Sequence, residues 1–123
     1  YDRYGHALMQ SFLASRLVVD TGLNYFDWPL EKARAYMREH TFESDVQIAS
    51  ESLRYSTDLF AQALGYRLGY EQIWALRRRA EAELGPRFDI RAFHAAVIGE
   101  GGMPLDVLAE QVDRYIAAAG KTE

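Results

Sequence analysis

The chain has 123 residues and a formal charge of -4, enough for one domain that buries roughly two-thirds of its unfolded surface. Its apolar share is 49%, an ordinary globular value, yet no apolar run reaches the roughly 20 residues that a membrane helix needs. The lack of cysteine excludes disulfides, a thiolate zinc site and a cysteine nucleophile and leaves the compartment open, and the negative balance would repel a phosphate backbone, so no nucleic-acid partner is expected.

In chain order, the first residue is Tyr1 rather than Met and no signal peptide is visible before Ser11, so an upstream portion is expected to be missing. Helical periodicity runs from about Asp2 to Thr21, with Leu8, Met9, Phe12, Leu13, Leu17 and Val19 on one stripe and Gly22 as a plausible stop. Arg16 and Asp20 fall near the middle of that stripe, at i and i+4. Charged groups there need partners, because breaking a buried pair costs about 3–5 kcal/mol. They are either a structural ion pair that fixes helix docking or a pair that lines a ligand cleft.

Pro29 is preorganised for a first helical turn, and a second helix is expected from Pro29 to His40. Ser44-Asp45-Val46-Gln47 fits a capping box ahead of a third helix that carries Glu51, Arg54 and Tyr55. Glu51 shares a face with Tyr55 and reaches Arg54 at i+3, the simplest account being a solvent-facing pair. Thr57 or Asp58 is expected to cap a long helix that ends at Gly85-Pro86 and can bend at Gly65 or Gly69. Gln62, Tyr66, Ile73 and Arg77 share one face of it, and Ala61, Gly65 and Gly69 make a small-residue stripe against which another helix can press. Tyr66 is either a buried phenol satisfied by a carboxylate or a donor to a developing oxyanion. Arg77, Arg78 and Arg79 read as a solvated helix surface.

Asp89 is expected to cap a short helix through Ile98. Its His94 sits among Ile90, Phe93, Val97 and Ile98 and reads as a hydrogen-bonded core residue before it reads as a ligand. After Gly101-Gly102, the residues Leu105, Leu108, Val112, Tyr115, Ile116 and Ala119 form the apolar face of a last helix. The expected fold is all-α, a bundle of about six helices in a single domain over residues 1–123. No zinc-binding His-Glu-x-x-His run, phosphate loop, dinucleotide fingerprint or serine elbow occurs.

Several blocks together resemble a known family: Arg16-Leu17-Val18-Val19-Asp20-Thr21-Gly22-Leu23, Trp28, Glu51-Ser52-Leu53-Arg54-Tyr55, Gln62-Ala63-Leu64-Gly65-Tyr66-Arg67-Leu68-Gly69, Leu84-Gly85, Phe88-Asp89-Ile90-Arg91-Ala92-Phe93-His94 and Met103-Pro104-Leu105. In this order and spacing they are similar to the C-terminal segment of the bacterial family called domain of unknown function 885. The chain departs from that pattern at Asn24, where many members have His, and at Phe60-Ala61, where many have Pro-Gly or Pro-Ala.

The resemblance implies a helical, gluzincin-like zinc peptidase whose metal ligands and general base lie upstream, outside this chain. Zinc is thus the expected cofactor of the longer protein, with no metal ligand in this segment. The expected partners are the N-terminal part of the same protein and a peptide substrate. On this footing Tyr66 and Tyr55 are the candidate catalytic phenols, and Arg16, Asp20, Arg54, Gln62 and His94 the candidate substrate-side residues. The segment alone is expected to be inactive. A helical docking module without catalytic residues is the alternative.

Overall fold

A computed structural model describes residues 1–121. Among them are six helices, α1 (Asp2–Asn24), α2 (Leu30–His40), α3 (Asp45–Thr57), α4 (Gln62–Leu84), α5 (Ile90–Ile98) and α6 (Leu105–Gly120), a 3₁₀ turn at Gly85–Arg87, and no strand. The fold is all-α, as expected. None of these helices is long and apolar enough to cross a membrane. Residues up to Leu68 make one compact unit and those from Gly69 onward another.

In the first unit α1, α2 and α3 pack pairwise around Val19, Ala33, Met37, Ile48, Tyr55 and Ala63, with Phe12, Leu23 and Tyr36 against them. Fully burying a side chain such as Val19, Met37 or Ile48 contributes about 1.5–3 kcal/mol. Polar latches set the helix offsets. Ser11 Oγ donates to the His40 carbonyl at 2.6 Å, joining α1 to α2, and Arg34 Nε donates to the buried Ser52 Oγ at 3.2 Å, joining α2 to α3. Ser44 caps the start of α3, with Gln47 N–H donating to Ser44 Oγ at 3.2 Å, one half of the expected capping box and a contact of about 1 kcal/mol.

Two boundaries differ from the sequence reading. Helix α1 continues past Gly22 to Asn24. Gly22 is small for a different reason, since a Cβ there would lie 2.5 Å from Trp28 Cε3 and 2.6 Å from Cδ2. The indole folds back onto α1 because Trp28 N–H donates to the Gly22 carbonyl at 2.9 Å. The second difference is the start of α4, which begins at Gln62 rather than at Thr57 or Asp58. Thr57 ends α3, with its Oγ1 turned back to the Leu53 carbonyl, and Ala61 takes a positive φ of 63°. That conformation is uncommon for a residue with a Cβ and interrupts the helical run.

The second unit is built on Leu76, Ala80, Leu84, Phe93, Leu108, Val112 and Ile116, with Phe88, Ile90, Val97, Met103 and Tyr115 packed against them. Asp89 caps α5 by accepting from Arg91 N–H at 2.8 Å, and α5 packs on α6. The arginine run is solvated as read: Arg77 pairs with Glu81 at 2.8 Å, and Arg79 with Asp113. His94 is exposed, not a core residue, with its ring 6.2 Å from that of Phe93.

The Gly22–Trp28 contact makes a stability prediction. The indole also carries Lys32, whose Nζ sits 4.2 Å from a ring centroid, so moving it disturbs a cation–π contact. Gly22→Ala is expected to lower stability by about 1–3 kcal/mol, the usual penalty of overpacking. Gly5→Ala, in the same helix where a Cβ meets nothing within 4 Å, is expected to raise it by about 0.5–1 kcal/mol. Urea denaturation of both variants checks the contrast, and equal effects would remove the steric account.

Candidate functional site

The buried face of α1 is Ser15, Arg16, Val19, Asp20 and Gly22, so two charges do occupy the centre of the stripe. They do not pair with each other. Arg16 is turned toward α3, with Nε 3.8 Å from Glu51 Oε2 and both side chains less than a tenth exposed. Its guanidinium carbon lies 5.5, 5.3 and 4.9 Å from the ring centroids of Phe12, Tyr55 and Tyr66. A poorly hydrated cation among aromatic faces gains cation–π attraction that strengthens on desolvation.

Glu51 is the counter-charge, and it is buried rather than solvent-facing. Besides Arg16 it meets Arg54, whose Nη1 donates to Oε1 at 2.5 Å, and Tyr55, whose hydroxyl donates to Oε2. The buried phenol satisfied by a carboxylate is therefore Tyr55, which is fully buried, and not Tyr66, which is 49% exposed. Burial, and then the bond to Glu51, push the Tyr55 hydroxyl well above its ordinary pKa, because each disfavours a second negative charge beside the carboxylate.

From Arg16 a chain of donors leads outward. Arg16 Nη2 donates to Gln62 Oε1 at 3.2 Å, and Gln62 Nε2 donates to Tyr66 Oη at 3.1 Å. A guanidinium has no acceptor, so it fixes the amide with its oxygen inward and its nitrogen toward the phenol. The Tyr66 oxygen is thereby occupied as an acceptor and its proton remains to be given away. Gln62, Gly65 and Tyr66 line a depression of about 340 Å³. No helix presses on the small-residue stripe as the sequence reading expected: among the described residues nothing lies within 4 Å of a Cβ at Gly65 or Gly69.

Asp20 is bonded to the residue just before α4. Its Oδ1 accepts from Asn24 Nδ2 at 2.9 Å and from Ala61 N–H at 3.1 Å, while Asn24 Nδ2 also lies 3.0 Å from the Tyr55 carbonyl. Asp20 thus anchors the strained turn that starts α4. Among the described residues, no three His, Asp or Glu side chains gather as a metal site requires.

Of the seven sequence-predicted site residues, Arg16, Asp20, Arg54, Tyr55, Gln62 and Tyr66 belong to the first unit, and His94 to the second. The sequence reading undervalued Glu51 and missed Phe12 and Asn24. Each stands four residues from a partner, as Phe12–Arg16, Asp20–Asn24 and Glu51–Tyr55, so the i and i+4 spacing of one helix face was the available signal.

A model of the family "Bacterial protein of unknown function (DUF885)" matches residues 1–112. The chain also superposes with a TM-score of 0.84 on the crystal structure of a protein from Colwellia psychrerythraea, provisionally assigned there as a lipoprotein. The two are 41% identical over 87% of this chain. The match spans only 18% of the Colwellia chain. No curated protein matches this sequence.

The charge network makes two measurable predictions. Glu51→Gln leaves Arg16 buried without a counter-charge and is expected to cost about 3–5 kcal/mol, read from the denaturant midpoint. A loss below about 1 kcal/mol would mean that the aromatic rings alone hold the cation. The raised Tyr55 pKa predicts alkaline destabilisation. The unfolded chain loses this proton near pH 10 while the folded chain keeps it. The stabilising contribution is therefore complete below about pH 10 and falls above it by about 1.4 kcal/mol per pH unit. Absorbance titration should show one phenol that ionises only with unfolding, and Tyr55→Phe should remove that phenol.

Proposed function

The chain belongs to the bacterial DUF885 family, and from that premise we propose that it is the substrate-side portion of a longer zinc-dependent peptidase or amide hydrolase, in which Tyr66 donates to the oxyanion. The observation that carries this reading is the relay Arg16–Gln62–Tyr66. It ends in a half-exposed phenol at an open depression, with its oxygen fixed from behind.

An oxyanion donor is effective when its dipole is oriented before charge develops, because no reorganisation is then needed during the reaction. Gln62 supplies that orientation, and the Arg16 charge polarises the amide and through it the phenol. Glu51 keeps the Arg16 charge tolerable in a buried place. Tyr55, the other candidate phenol, is a positioning residue in this scheme, since its hydroxyl is buried and given to Glu51. Arg54 is the cation within reach of a substrate carboxylate, with 41% of its side chain exposed.

Zinc, held by residues outside this chain, would act as a Lewis acid and lower the pKa of water. That the chain spans 18% of the Colwellia protein is consistent with such a division. A second reading is a docking module. It is favoured by an apolar groove of about 420 Å³ in the second unit, lined by Ile73, Val97, Ile98, Met103, Leu105 and Leu108, where Ile98 is 72% exposed.

Hydrolysis of a mixed peptide library by the whole protein, with and without a chelator, separates the two. Cleavage is expected to depend on metal, and Tyr66→Phe to lower kcat about a hundredfold with the metal content unchanged. A folded, metal-loaded protein that cleaves no peptide would leave the docking reading as the better one.

A further inference from the structure

A carboxylate oxygen that is buried and unpaired calls for a ligand, and Asp20 has one. The residue is 1% exposed. Its Oδ1 is saturated by Asn24 and Ala61, whereas its Oδ2 is buried and has no hydrogen-bond partner. Burying an acceptor without a partner is unfavourable, and more so when it is charged. This expense is not needed to hold the fold, because Oδ1 alone anchors the α4 turn.

Asp20 lines a pocket of about 240 Å³ with Thr21, Asn24, Tyr25, Phe60, Ala61 and Leu64. The walls are mostly hydrocarbon and aromatic, and the two rings are exposed, Tyr25 by 77% and Phe60 by 59%. Among the described residues no cation lies within ion-pair reach of Asp20, since Arg16 is spent on Glu51 and Gln62.

We propose that this pocket binds a primary ammonium group carried on a short apolar stem, with the nitrogen on Asp20 Oδ2 and the stem between Tyr25 and Phe60. The count of free oxygens selects the class. A guanidinium binds a carboxylate best through two parallel bonds, and one oxygen here is already taken twice. A primary ammonium is a compact charge that one oxygen satisfies, and aromatic rims favour it further. Such a group occurs on a lysine side chain and at the N-terminus of a peptide. The inference goes beyond the hydrolytic reading and is measured by binding alone, so either can fail while the other stands.

The test is a titration of the full chain, followed by NMR, with three small amides. Nα-acetyl-lysine amide carries only a side-chain ammonium, norleucine amide only an α-ammonium, and Nα-acetyl-norleucine amide none. At least one cationic ligand is expected to bind about tenfold or more tighter than the neutral one, and the preferred cation identifies a side chain or a chain terminus as the source. Asp20→Asn keeps an oxygen for Asn24 and Ala61 but presents an amide nitrogen in place of Oδ2, and it is expected to abolish the preference. Phe60→Ala leaves the carboxylate untouched and is expected to weaken the cation about three- to fivefold, which keeps the test decisive if Asp20→Asn does not fold. Equal binding of all three amides, saturation by none of them, or a preference that survives Asp20→Asn would overturn the proposal.

Discussion

The first unit is organised by one compensation, the charge of Arg16 against that of Glu51. Neither ion has enough water to be stable alone, and a lone buried charge is dearer than any single hydrophobic contact in the core. Arg16 comes from α1 and Glu51 from α3, so the requirement that they meet sets how those helices pack. Tyr55 and Arg54 complete the lone pairs of Glu51 from the next turn of α3. Gln62 then takes the outer edge of the guanidinium and ties the first turn of α4 to the same point. A polar network of this kind is stable only when nearly every member is satisfied, and the rings of Phe12, Tyr55 and Tyr66 cover the cation's faces where no acceptor does.

That constraint also explains which parts were legible in the sequence. The helices of both units follow from periodicity and caps, because α2, α3 and α5 have local start signals at Pro29, Ser44 and Asp89 and α6 shows its apolar face after Gly101-Gly102. Helix ends that depend on distant contacts were not legible. Gly22 looks like a stop and instead admits the Trp28 indole. The start of α4 is set by Asp20 bonding Ala61 N–H across 41 residues, and nothing near Ala61 announces it.

The site was read in part. That Arg16 and Asp20 sit on the buried face follows from the 100-degree rule, yet their proximity on one face does not decide their partners. Spacing within a helix gives candidates four residues apart, whereas the choice made by Arg16 depends on Glu51 on another helix. The two phenols were likewise indistinguishable by sequence. Tyr55 and Tyr66 each stand four residues after a polar side chain, Glu51 and Gln62 respectively. Only packing shows that one faces the core and the other the open side. His94 was misjudged because its apolar neighbours in sequence are spread around α5, with Phe93 alone fully turned inward.

Two acidic residues within one unit thus end in different states. Glu51 has both oxygens bonded and a cation against it; Asp20 has one oxygen bonded twice and the other not at all. Had Asp20 been only a structural anchor, an asparagine would accept the same two bonds through one oxygen without burying a charge. A carboxylate is the less favourable solution for the fold alone, and Asp20 lines a pocket whose walls are mostly hydrocarbon. Around Glu51 both carboxylate oxygens are taken, and the network there is suited to holding a donor still. Around Asp20 it is open on one side, and an open carboxylate is suited to taking up a cation. Structure and recognition are in this way divided between the two acids, with the first turn of α4 attached to both.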